Sequence, residues 1–110
     1  MLINPYFVLS VWDINRRTCD ITMNGHEGII YAVAIIGKTL YSGSSDCTIK
    51  AWSLTNFELI KSVAASDNTV CTLATRTNTE HPLLLSGSLK TVTVCKTERW
   101  PFLICPSFLL

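Results

Sequence analysis

GHEGIIYAVAIIGKTLYSGSSDCTIKAWSL, residues 25–54, decides the fold of this chain. Within it IIYAVAII, residues 29–36, is apolar at both parities, as a strand is when both of its sheet faces are covered, and this predicts a sandwiched sheet. Gly37-Lys38 reads as a tight hairpin turn into a strand over 39–44, and Ser45-Asp46 as a second turn into a strand over 48–53. Thr55-Asn56 closes that strand and opens another over 58–64, where Glu58, Lys61 and Ser62 interrupt Leu59, Ile60 and Val63. A lysine in such a stretch is how an outer strand blunts its exposed edge. The expectation is four short antiparallel strands joined hairpin to hairpin, with no helical period.

The same pattern recurs on either side. Trp12 of VWDI and Trp52 of AWSL stand 40 residues apart, and that offset lays Gly25-His26-Glu27 over Ala65-Ser66-Asp67 and Ile30, Val33 and Ala34 over Val70, Leu73 and Ala74. The register then slips by four, because LYSGS (40–44) returns as LLSGS (84–88), which places an insertion in the connection over 75–82, where a loop absorbs it at little entropic cost. A period of about 40 to 45 residues built from four short strands is the signature of propeller blades. The predicted fold is all-β: about two blades of four-stranded antiparallel sheet from a partial β-propeller. Residues 8–24 read as the end of a first blade, 25–64 as a complete blade, 65–96 as a partial, divergent blade and 97–110 as an apolar tail outside the repeat.

Composition excludes several other functions. The chain has 110 residues, room for one small domain, and 48% of them are hydrophobic against 15% charged, which argues against disorder. Nine Lys+Arg against eight Asp+Glu leave a net charge of +1 with no basic run longer than Arg16-Arg17, so a nucleic-acid partner is not expected. The apolar ends resemble targeting signals only superficially. The first dozen residues lack a basic n-region and carry Pro5, and the last eleven contain Pro101 and Pro106 and fall short of the roughly 20 residues of a membrane span. No membrane association is expected. Cys19, Cys47, Cys71, Cys95 and Cys105 form no C-x-x-C pair, and an odd count without an N-x-[ST] site fits a reducing, cytoplasmic setting.

A Gly-His pair before the first strand, an Asp in the turn after the second and a Trp ending the third are the marks of a WD repeat. Their expected role is local polar satisfaction. His26 is placed to bond Asp46, while Ser42 and Ser44, two apart on one strand face, are placed to reach Trp52 or His26; Trp12 holds the corresponding place one repeat earlier. His, Ser and Asp together also invite a hydrolase reading. A nucleophilic triad needs an exposed Ser beside an oxyanion donor, however, and the G-x-S-x-G elbow is missing, so no catalytic residue is assigned. His26, His81 and the scattered cysteines lack the spacing of a metal site, and no cofactor is expected. In the second copy Ser66 replaces the His, Leu89-Lys90 the turn Asp and Cys95 the Trp, so that blade is expected to rely on apolar contacts.

Residues 25–54, then ASDNTVCTL (65–73) and LLSGSLKTVTV (84–94), carry a more specific resemblance. Over roughly residues 8–95 the chain resembles the WD-repeat propeller of a RING-type ubiquitin ligase in the TNF-receptor-associated factor family. The resemblance implies a seven-bladed propeller at the C-terminal end of a longer chain, with a RING and a zinc finger upstream. It further implies a propeller that recruits a MAP kinase kinase kinase, and ubiquitin transfer performed by the RING. The chain departs from that pattern at VCK (94–96), where VWD is expected, and over the tail from Thr97, borders that a truncated product, a splice product or a misjoined gene model would have.

The leading expectation is a non-catalytic interaction scaffold whose variable loops do the recognising, with Glu27, Arg16, Arg17 and the inserted loop from Thr77 to His81 as candidate contacts. The alternative is a structural remnant with no independent activity. Blades without neighbours leave apolar faces open, so the isolated chain is expected to aggregate, to oligomerise through sheet edges or to require a partner.

Overall fold

The computed structural model describes residues 5–65, 68–77, 82–88, 91–96 and 108–109. Within them the chain is almost entirely strand. A 3-10 turn, Pro5–Phe7, leads into β1 (Val8–Asp13) and β2 (Thr18–Asn24). Then follow β3 (Ile30–Ile36), β4 (Thr39–Ser44), β5 (Thr48–Ser53) and β6 (Leu59–Ala64), and after them β7 (Thr72–Arg76), β8 (Leu83–Gly87), β9 (Thr91–Lys96) and β10 (Phe108–Leu109). All pairings are antiparallel, in three sheets ordered β1-β2, β3-β4-β5-β6 and β10-β9-β8-β7. This is the architecture of partial WD-propeller blades. From β3 to β6 the sheet runs strand to neighbouring strand, because connections of a few residues favour an adjacent antiparallel position.

The repeat extends to backbone detail. Asp13 Oδ1 accepts the amides of Asn15 and Arg16, and Ser53 Oγ accepts those of Thr55 and Asn56 in the corresponding turn. Both turns end on a left-handed residue, Arg17 at φ 56° and Phe57 at φ 61°. A β-bulge sits between Val11 and Trp12 in the first sheet and between Ala51 and Trp52 in the second.

Two apolar clusters join the sheets. Tyr41, Ile49 and Ala51 of the middle sheet meet Ala65, Val70 and Leu84, flanked by Ala34, Ile36 and Leu73, and so fasten it to the third sheet. On its other face Leu40 and Trp52 meet Met23 of β2, with Leu9, Val11, Ile21, Leu54 and Phe57 around them. Full burial of side chains this size is worth about 1.5–3 kcal/mol each, so these clusters, more than the ladders, set the stacking.

Two expectations need revision. The doubly apolar run was read as covered on both faces, but on β3 Tyr31, Val33 and Ile35 are 55%, 52% and 55% exposed, while Ala34 and Ile36 pack on the core. The first sheet covers only the part of that face that bears Leu40 and Trp52. The apolar tail also contributes a strand: Phe108 pairs with Val92 and Leu109 with Thr91, so β10 takes the fourth position beside β9.

Candidate functional site

The polar residues singled out by the repeat converge between the β2–β3 connection, β4 and the β4–β5 turn. The turn from Ser44 to Cys47 is closed by the Cys47 amide bonding Ser44 O at 3.2 Å, with Cys47 at φ 69°. That turn aims the Asp46 carboxylate back at the segment preceding β3. Ser45 locks the two together: its amide bonds Ile29 O at 2.9 Å and its Oγ accepts the Ile29 amide at 2.8 Å. Gly25 matters one step earlier, because a Cβ there would stand 2.9 Å from Cη2 of Trp52, and only a glycine lets the chain pass over that indole.

His26, whose side chain is fully buried, places Nδ1 2.9 Å from Asp46 Oδ2 and Nε2 2.6 Å from Ser42 Oγ. Trp52 Nε1 donates to the same Ser42 oxygen at 2.8 Å. Indole nitrogen can only donate, so the hydroxyl proton of Ser42 is free to go to His26 Nε2, which puts the imidazole proton on Nδ1, facing Asp46. The relay thus runs from Trp52 through Ser42 and His26 to Asp46. Asp46 ends it with further donors: Glu27 N at 3.0 Å on Oδ2, and Thr48 N at 2.9 Å and the Thr48 hydroxyl on Oδ1.

Burial pushes the Asp46 carboxyl up, but the donors from Thr48, His26 and the Glu27 backbone outweigh it and hold the pKa at about 2. For His26 burial dominates and lowers the pKa against the opposing pull of Asp46, in keeping with a neutral ring. An anionic carboxylate with four donors and a neutral imidazole leave no buried charge without partners.

Ser42, His26 and Asp46 are spaced as a nucleophilic triad is, and two features make that chemistry unreachable here. Ser42 is 0% exposed in mid-strand, and its oxygen already accepts the Trp52 N–H. A nucleophile must be open to its substrate, and here the Trp52 N–H occupies one of the two lone pairs of an oxygen that solvent does not reach. The arrangement ties the β2–β3 connection, β4 and β5 into one unit.

Ser44 and Trp12 lie outside this network. Ser44, though fully buried, uses its Oγ to accept the Asp46 amide at 3.2 Å rather than reaching His26 or Trp52. Successive residues of the same parity along β4 are separated by nearly 7 Å, too far for both hydroxyls to serve one imidazole. Trp12 is 60% exposed on the face of the first sheet turned away from the middle one. In the third sheet Ser86 is buried at the place of Ser42, whereas Ser66, Leu89 and Lys90 and the Cys95 side chain lie outside the described residues.

The candidate contact residues separate to opposite ends of the sheets. Following the antiparallel strands, the β1–β2 turn with Arg16 and Arg17 shares one end with Lys38, the β5–β6 turn and Thr77, as the bond from Leu54 N to Lys38 O shows. Glu27 sits at the other end beside the Ser45–Asp46 turn. Arg16 is already engaged, its Nε 3.0 Å from Asp13 and its Nη2 3.2 Å from Asp20, while Arg17 is exposed. His81 and the rest of the inserted loop lie outside the described residues. Among the described residues no three His, Cys, Asp or Glu side chains gather as metal ligands would.

Comparison with known proteins adds a family and several relatives. Residues 17–53 match the family model of the WD domain, G-beta repeat. The chain is 44% identical over 119 aligned positions to the E3 ubiquitin-protein ligase TRAF7 of Mus musculus, covering 69% of this chain and 19% of that one. Against TRAF7 of Homo sapiens the identity is again 44%, over 69% of this chain and 17% of the relative. The CCR4-associated factor 4 homolog of Candida glabrata is 31% identical over 65 positions, 50% of this chain and 11% of its own length. The chain thus spans less than a fifth of the length of the ligases it matches.

Proposed function

We propose, on the premise that this chain is built of WD repeats, that it is a non-catalytic protein-interaction module. The observation that carries the reading is the Ser42 hydroxyl: buried completely and bonded to both Trp52 and His26, it serves the rigidity of a blade. Rigid sheets with loops gathered at their two ends suit recognition, because ordering of the loops is already supplied by the scaffold and binding need not be spent on it.

The likeness to TRAF7 favours a finer reading. The module works in cytoplasmic signalling linked to ubiquitin transfer, presenting a MAP kinase kinase kinase to that machinery, and the transfer chemistry belongs to other parts of such a protein. Arg17 and Thr77 at one end and Glu27 at the other offer two distinct recognition surfaces.

Two measurements test this. A titration of the purified chain against a purified MAP kinase kinase kinase should give saturable binding that weakens in either Arg17→Glu or Glu27→Lys but not in both, since the two lie at opposite ends. No binding at any attainable concentration would remove the finer reading. Incubation with ubiquitin, activating enzyme and conjugating enzyme should give no transfer by the chain alone; transfer lost in Ser42→Ala would overturn the non-catalytic one.

A further inference from the structure

Asn24-Gly25 is the single asparagine–glycine pair of the chain; the other asparagines precede Pro5, Arg16, Phe57, Thr69 and Thr79. The side-chain amide of an asparagine is open to attack by the backbone nitrogen of the residue that follows. A Cβ on that residue hinders the approach, so glycine, which has none and turns most freely, makes the pair the most reactive. Both residues are exposed. Asn24 is also the last residue of β2, on the final rung of the ladder opposite Val8, and strand ends open more readily than strand centres. The glycine is held in place by packing, because a Cβ at position 25 would stand 2.9 Å from Trp52 Cη2. In the following repeat Ala64 and Ala65 take the corresponding places, with Cys95 where the Trp would be, and the reactive pair is absent.

We propose that Asn24-Gly25 is a site of covalent modification, the deamidation of Asn24 through a cyclic imide, and that the modification loosens His26 from the buried polar network. Base removes the Gly25 amide proton and the nitrogen attacks Asn24 Cγ. The new N–C bond closes the succinimide ring, and the side-chain nitrogen leaves as ammonia, its proton supplied by water. Water then opens the ring. Opening at Cγ leaves an ordinary aspartate, and opening at the backbone carbonyl leaves isoaspartate, in which the main chain reaches Gly25 through Cβ and Cγ. The sum is asparagine plus water giving the acid plus ammonia, so no co-reactant other than water is needed. Both products carry a new carboxylate, but only isoaspartate lengthens the backbone, by one methylene. That added length falls directly before the residue that grazes the Trp52 indole and one residue before His26. The His26 ring holds Asp46 at 2.9 Å and Ser42 at 2.6 Å, and bonds of that geometry weaken steeply when their partners shift. The same glycine that lets the chain pass over Trp52 thus makes the joint perishable, a property independent of the interaction role proposed above.

The test ages the full-length chain at physiological temperature and mildly alkaline pH. Peptide mapping by mass spectrometry should show conversion of amide to acid several-fold faster at Asn24 than at Asn15, Asn56 or Asn68. An isoaspartyl methyltransferase supplied with labelled S-adenosylmethionine should methylate the aged chain in step with that conversion, and Asn24→Gln, whose longer side chain closes a ring far less readily, should take up no label there. The isoaspartyl fraction, separated by ion exchange, should unfold at a lower urea concentration than fresh chain and lose the downfield imidazole proton resonance expected of His26 Nδ1 donating to Asp46. Asn24→Asp carries the same charge without the added methylene and should keep both. Conversion no faster at Asn24 than at the other asparagines would overturn the site. An isoaspartyl fraction with the urea midpoint and the His26 resonance of Asn24→Asp would overturn its effect on the network.

Discussion

Trp12 and Trp52 occupy the same place in successive hairpins, each beside a β-bulge, yet Trp52 is 2% exposed and Trp12 60%. Only Trp52 has a sheet packed over it and a buried hydroxyl to receive its N–H. The same residue type in the same backbone setting should therefore carry different weight. Trp52→Phe should cost about 1–2 kcal/mol through the lost bond to Ser42 and a small void, and Trp12→Phe no more than about 0.5 kcal/mol. Urea denaturation of the two variants under identical conditions measures the difference.

Ser42→Ala should be the most damaging single-atom change. It leaves the Trp52 N–H and His26 Nε2 without their partner in a site closed to solvent, and each such loss costs about 1–3 kcal/mol. A drop of about 2–4 kcal/mol in unfolding free energy is expected. Ser44→Ala, whose hydroxyl accepts the Asp46 amide, should lose about 1 kcal/mol.

Acid should destabilise the chain in two stages. His26 has its pKa lowered from 6.5 in the folded state, mainly by burial, so the unfolded chain takes up that proton first. Its contribution is present above 6.5 and is lost as pH falls through the lowered folded value. Asp46, lowered from 3.8 to about 2, contributes above 3.8 and loses that contribution as pH falls toward about 2. Urea midpoints taken from neutral to acid pH should show both stages. In Asp46→Asn the lower one should diminish, because the group that titrates there is gone.

Gly43 lies against Val70 at the joint between the middle and third sheets, where a Cβ would overlap Val70 Cγ1. Gly43→Ala should therefore cost about 1–3 kcal/mol by overpacking. Adding Val70→Ala should recover part of that loss even though Val70→Ala alone destabilises. A thermal double-mutant cycle gives the sign of the coupling.

Most of the fold was legible because its signals were local. The turns at Gly37-Lys38 and Ser45-Asp46 and the Trp12–Trp52 period depend on neighbours in sequence, and the strands fall within a residue or so of their expected ends. The pairing of His26 with Asp46 and of Trp52 with Ser42 was legible for the same reason, since a repeat reports which residues meet across hairpins. Whether a face is covered is a different matter. IIYAVAII shows two faces suited to burial, and nothing within it says that only part of one is occupied. Ser44 was misplaced because shared parity puts it on the face of Ser42 but says nothing of the distance along the strand. The turn at Thr55-Asn56 was read, but its match to the turn ending at Arg17 was not, although Asp13 and Ser53, both side chains that accept turn amides, were the available signal.

β10 joins the third sheet from a stretch that shares no residue pattern with the repeat. A ladder is closed by carbonyls, which every residue supplies, and by amides, which every residue except proline supplies, so the last seat of a blade can be taken by a segment whose side chains do not follow the repeat. The residue pattern of the repeat stops before such a segment while the hydrogen bonding continues into it, and a boundary drawn by that pattern here would cut through a sheet.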